Sequence, residues 1–170
     1  MTTSHDRAVK IASLVSSLAS KDGVVRERAR HALVALGRPA AGALTKALSD
    51  PRDQVRWEAA KGFEEAPDPS SAPALIAALE DEVSGIRWLA GKALAALGTG
   101  ALDLLMQALI DKPRSYRLHE GARHVLTAEP GRKLRHILAP VLDALEDLDP
   151  ESAVPVAARQ ALSRLREPDR

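Results

Sequence analysis

The chain has 170 residues, a formal net charge of +1, 45% hydrophobic and 28% charged residues, so neither a nucleic acid nor a membrane is demanded as partner by charge alone. It has no cysteine, which excludes disulfides, thiolate catalysis and Cys-ligated metal sites. No run of about 18 apolar residues is present to span a bilayer, and the polar N-terminus MTTSHDRAVK lacks the apolar core of a secretion signal, so a cytoplasmic location is expected.

Along the chain one nine-residue pattern recurs: VRERARHAL (25–33), VRWEAAKGF (55–63), IRWLAGKAL (86–94), LHEGARHVL (118–126) and VPVAARQAL (154–162). The segments align on Ala29, Ala59, Ala90, Ala122 and Ala158, at spacings of 30, 31, 32 and 36. Apolar residues fall at −4, 0, +3, +4 and +7 from the anchor, as in Val25, Ala29, Ala32, Leu33 and Leu36, which is one face of a helix. Between these segments lies a second helical theme that ends on aspartate: ALTKALSD to Asp50, ALIAALED to Asp81, LLMQALID to Asp111 and a shorter VLDALED to Asp147.

Punctuation agrees with this reading. Asp22, Asp53, Ser84, Ser115 and Ser152 stand where N-caps belong. Gly37, Gly98, Pro67 and Pro130 stand at helix stops, and Pro39 and Pro73 near helix starts. Each unit is therefore a helix pair, A then B, that cannot bury its apolar face alone and must stack on its neighbours. The units run about 6–37, 38–67, 70–98, 99–130 and 131–166, with a tail 167–170, in one domain covering 1–170. Pro140 predicts a kink or break near residue 138, and Pro155 reads as a first-turn proline of the last B helix.

The pattern D-x-x-x-x-V-R-x-x-A-x-x-A-L-x-x-L-G resembles the HEAT-like repeats first noted in phycobilin lyase subunits, over residues 6–166. The resemblance implies an all-α, right-handed α-solenoid of about five helix-pair repeats, with the outer face of the B helices lining the concave surface. It also implies that Arg26, Arg56 and Arg87 bond aspartates or loop carbonyls of adjacent repeats, with Asp50, Asp81 and Asp111 recurring at matching spacing.

At 100° per residue, the column two before each anchor alanine falls almost opposite the core. It reads Glu27, Trp57, Trp88, Glu120 and Val156, so the chain's two tryptophans are expected on the concave face of neighbouring helices. The column two after the anchor reads His31, Lys61, Lys92, His124 and Gln160. Next to the tryptophans the +1 column is small, Ala60 and Gly91, which is expected to leave the indole faces open, while Arg30 and Arg123 flank them. An aromatic centre with a charged rim is how binding hot spots are built; incidental packing is the alternative reading of the same tryptophans.

Other chemistry is thin. LHEGARH brings His119, Glu120 and His124 together, but residues five apart lie about 140° apart on a helix, so no metal site is expected. His31 and His124 are expected to pair with Glu27 and Glu120. Asp143, Glu146, Asp147, Asp149 and Glu151 read as a solvated ridge, and no nucleophile has an identifiable base. The reading is a non-enzymatic scaffold or adaptor without cofactor or metal. It binds a protein partner through Trp57, Trp88, Lys61, Lys92, Glu27, His31, Arg30, Glu120, His124 and Arg123. Two alternatives stand beside it: nucleic-acid binding, resembling HEAT-like DNA alkylation-repair proteins, and a phycobilin lyase-like subunit or chaperone.

Overall fold

Why the repeat must stack is visible in the burial of its anchor column. Ala29, Ala59, Ala90, Ala122 and Ala158 are all inside the core of the computed structural model, which describes residues 4–128 and 131–167. Small side chains at one position per B helix let neighbouring helices approach closely, and the larger Leu33, Phe63, Leu94, Leu126 and Leu162 four residues on fill the space between layers.

Among the described residues the secondary structure is helical throughout. The A helices are α1 (Ser4–Ser17), α3 (Arg38–Ala47), α5 (Ala72–Ala78), α7 (Leu102–Asp111) and α9 (Arg132–Leu145). Their B partners are α2 (Gly23–Leu36), α4 (Asp53–Glu65), α6 (Ser84–Ala96), α8 (Tyr116–Thr127) and α10 (Pro150–Leu165). The B layer stacks α2 on α4, α4 on α6 and α6 on α8, while α1 packs on α3 and α5 on α7 in the A layer. The chain is thus an all-α solenoid of helix pairs. No helix of the described residues is long and apolar enough to cross a membrane.

Helix ends follow the punctuation in part. Gly37 and Gly98 end α2 and α6 with φ of 64° and 59°, a conformation other residues adopt at a cost. Pro39 and Pro73 sit in the first turns of α3 and α5, and Pro67 follows α4; Pro130 lies outside the described residues. Asp22 and Ser115 cap α2 and α8 through bonds from Val24 N (2.8 Å) and Leu118 N (3.2 Å). Asp53 and Ser84 are instead the first residues of their helices, and Ser152 lies inside α10. The reason is that the theme-ending aspartates make the turn first: Asp50 accepts from Arg52 N, Asp81 from Val83 N and Asp147 from Asp149 N, each at 2.9 Å.

Arg26, Arg56 and Arg87 are structural. Arg56 donates from Nη1 to the carbonyls of Asp50 (3.0 Å) and Pro51 (3.2 Å), and from Nε to Asp81 Oδ2 of the next loop (2.7 Å). Arg87 and Arg26 grip the carbonyls of Asp81 and Glu82, and of Ser20 and Lys21, in the same way. The aspartate partners are less regular than their spacing suggested. Asp50 pairs with Arg52, Asp111 accepts from Gln107, and Arg26 reaches Glu58. The Arg52 guanidinium beside Asp50 holds its carboxyl down at about 2.

The last pair departs from the stack. α10 lies along α7, and the ion pairs Arg166–Asp103 (2.9 Å) and Arg114–Glu151 (3.1 Å) at opposite ends show the two helices to be antiparallel. α9 packs on α8 and α10. So α10, the fifth B helix, covers the A-layer helix of the fourth unit, and Val156 and Gln160 do not continue the outer column of α8. The break expected at Pro140 does not occur: α9 runs through it, held by buried Leu138, Val141, Ala144 and Leu145. Pro155 is buried in the interior of α10 rather than in its first turn, because the helix already starts at Pro150.

His119 occupies the arginine position of the fourth unit. It is 8% exposed, its Nε2 has no hydrogen-bond partner, and burial pushes its pKa below the usual value against the opposing charge of Glu151. Arg56→Met should cost about 3 kcal/mol by urea denaturation, since it leaves the Asp81 carboxylate inside without its partner. Arg52→Ala, at an exposed pair, should cost far less. Because the folded state disfavours protonated His119, the unfolded chain binds more protons below the ordinary histidine value of roughly 6.5. Stability should therefore fall between about pH 7.5 and 5.5, and His119→Leu should flatten that slope in urea titrations at each pH.

Candidate functional site

The outer face of α4, α6 and α8 carries the aromatic column. Trp57 is 41% exposed and Trp88 51%, unusual for the largest side chains of a chain this poor in aromatics. Each is placed by its helix: the column lies opposite the buried faces of Val55, Ala59 and Phe63 on α4, and of Ile86, Ala90 and Leu94 on α6.

The two indoles have different surroundings. Trp57 meets the start of α6 with the edge of its six-membered ring, where a Cβ on Gly85 would fall 2.1 Å from its Cζ3. Only glycine allows that approach. Trp88 has Lys92 Nζ 4.6 Å from its ring centroid, a cation–π contact. Gly91 leaves no open space beside the indole, contrary to expectation. His124 of α8 has moved in, and a Cβ at residue 91 would be 2.7 Å from its Cδ2. α6 thus receives one ring from each neighbouring helix, over two glycines.

The lysines are joined by an acid. Glu64 accepts from Lys61 Nζ (2.9 Å) and from Lys92 Nζ, bridging α4 to α6, and the two ammonium groups, Lys92 first, hold its carboxyl below the usual range.

Arg30 does not stand on the rim. It is 8% exposed and bonds Glu58 and Glu65 (3.0 Å), with Glu27 3.9 Å away. A buried carboxylate at Glu58, in a column that reads Arg28, Glu58, Leu89, Gly121 and Ala157, draws the guanidinium inward because a buried anion requires a counter-charge. His31 and Glu27 remain exposed, but His31 faces Glu65 at 3.8 Å rather than Glu27. Arg123 is exposed and pairs with Glu146 at 3.3 Å, and Glu120 meets Arg87 at 3.6 Å. His119 turns inward while His124 lies outward, so the two do not converge.

Between α6 and α8 a cleft of about 440 Å³ is lined by Ser84, Gly85, Arg87, Trp88, Glu120, Gly121 and His124. Of these, Ser84, Gly85, Arg87 and Gly121 escaped sequence reasoning as site residues. Their one sequence signal is a glycine in the first turn of α6 and another one residue before an anchor alanine, both of which leave backbone uncovered at the cleft.

The HEAT repeats family matches residues 41–127, just over half of the chain and all of the segment that carries the tryptophans, Glu64 and the cleft. The chain therefore belongs to the HEAT repeat family. No curated protein matches it.

Gly85→Ala should push Trp57 off α6. In a Trp88→Phe background, where Trp57 is the sole tryptophan, acrylamide quenching of its fluorescence should rise, with a stability cost of about 1–3 kcal/mol.

Proposed function

We propose that the protein is a non-enzymatic scaffold that binds a protein partner on the concave B-helix face of α4, α6 and α8. The observation that carries this reading is the pair of exposed indoles on adjacent helices, bordering an open cleft. Exposed tryptophans on a rigid helical surface supply much contact area at little entropic cost, and such residues dominate binding energies. Glu64, Lys61 and Lys92 tie α4 to α6, so the surface is held in place before a partner arrives, which reduces the ordering cost of association. Trp57, Trp88 and His124 form its centre, with Lys61, Lys92, Glu27, His31, Glu120 and Arg123 around them; Arg30 acts from beneath, by holding Glu58 and Glu65.

The nucleic-acid alternative draws less support. Lys61, Lys92, Arg87 and Arg123 each already meet a carboxylate, so few cations are left for phosphates. Likeness to the phycobilin lyase type rests on the repeat consensus alone. The absence of cysteine fits a cytoplasmic setting for the scaffold.

The test is the Trp57→Ala/Trp88→Ala double variant. Trp57 and Trp88 are 41% and 51% exposed, so the double variant should remain folded and helical with a lower melting temperature from the lost Trp57 contact on Gly85, while proteins retained quantitatively on the immobilised wild-type chain should bind at least about 30-fold more weakly, the effect of losing a hot spot. A folded double variant that retains all of them with unchanged affinity would sink the proposal. Oligonucleotide binding that weakens steeply with salt would favour the nucleic-acid alternative instead.

A further inference from the structure

Two adjacent grooves on the same face are closed differently. Between α4 and α6 the groove is filled from within: the edge of the Trp57 indole meets Gly85, at a distance no side chain on residue 85 would permit. Between α6 and α8 the residue in the Trp57 position is Trp88, but the residue in the Gly85 position is Arg117. Arg117 sends its Nη1 away to the Glu80 carbonyl (3.3 Å), and Trp88 is engaged by Lys92 of its own helix. Among the described residues no ring takes the place beside Arg117 that Trp57 takes beside Gly85; His124 occupies only the space over Gly91, and the rest of the groove remains as the cleft of about 440 Å³, within the range of small-ligand sites.

Its chemistry is that of a slot for a ring. The walls are the Trp88 indole, the His124 imidazole held over Gly91, and the bare backbone of Gly85 and Gly121. Among the lining residues the only charged groups are Arg87 and Glu120, and they face each other at 3.6 Å. Arg87 is further satisfied by the Asp81 and Glu82 carbonyls at 2.9 and 3.2 Å. A charged side chain entering the cleft would shed its hydration and find no unmatched counter-charge, whereas an uncharged aromatic ring would stack on Trp88 and lose only apolar hydration.

We infer that the α6–α8 cleft receives one uncharged aromatic side chain of a partner polypeptide, occupying the place that Trp57 fills in the neighbouring groove. This rests on the scaffold reading and specifies the chemistry of its anchor.

The experiment needs no identified partner. The 15N-labelled full chain is titrated with N-acetyl-tryptophanamide, N-acetyl-phenylalaninamide and N-acetyl-argininamide, with nitrogen–proton correlation spectra followed at the Gly85 and Gly121 amides and the Trp88 indole N–H. The expected result is saturable shifts at these three groups with the aromatic amides, at least about tenfold weaker binding of the arginine amide, and loss of the shifts in Trp88→Ala. Ser84→Phe, which plugs the cleft from an exposed position, gives a second route to the same loss should Trp88→Ala not fold. Preference for the arginine amide, abolished in Glu120→Gln, would overturn the aromatic assignment, as would the absence of saturable shifts at the cleft. Shifts of the same resonances on raising protein concentration alone would overturn it in favour of a second copy of the chain. None of these outcomes depends on the double-tryptophan binding test, so the anchor can fail while the scaffold stands.

Discussion

A guanidinium at the start of α2, α4 and α6, buried at Arg56 and half-buried at Arg26 and Arg87, is the contact on which the regular part of the stack depends. Arg26, Arg56 and Arg87 each close the loop that precedes their own helix by donating to two of its carbonyls, and Arg56 also takes Asp81 of the next loop. These carbonyls lie in half-buried or exposed loops at the layer edge, where the guanidinium supplies the donors they lack within the turn. One side chain thus ends the A helix, starts the B helix and sets the neighbouring unit against it. Arg suits the position because a planar fork of donors serves carbonyls and a carboxylate at once.

Where that contact lapses, the architecture changes. The fourth unit has His119, buried with an unpaired nitrogen, and the fifth has Pro155. It is there that α10 leaves the B layer and lies antiparallel on α7, joined by exposed ion pairs at its two ends. Without the arginine, the apolar faces are free to meet in another arrangement. Val154, Ala158, Ala161 and Leu162 are buried against a different neighbour by the same hydrophobic effect.

The face that carries the tryptophans obeys a second constraint, the matching of rings to glycines. Trp57 on Gly85 and His124 on Gly91 are close approaches that a single methyl group would prevent. Together with Glu64 between two lysines, they make α4, α6 and α8 one surface rather than three helices with exposed side chains. A surface cross-tied in this way loses little freedom on meeting a partner, which is the physical basis for reading it as a binding face.

The helix pairs, the buried alanine column and the outward column of Trp57 and Trp88 were legible in the amino-acid sequence, because periodicity acts within one helix. The family resemblance implied bonding by Arg26, Arg56 and Arg87 to adjacent repeats, but the carbonyls they take belong to the loop before their own helix. What lies between units was not legible. Arg30 turned inward because Glu58, 28 residues away, needed a counter-charge. Lys61 and Lys92 found one shared acid, and His124 took the space beside Gly91. The α6–α8 cleft stayed open because Arg117 stands where the preceding unit has a glycine. The columns named which side chains face outward. Whether an outward side chain is free, paired or stacked depends on the residue opposite it in the next repeat, and on how closely the two backbones approach. Only the tertiary structure sets that distance.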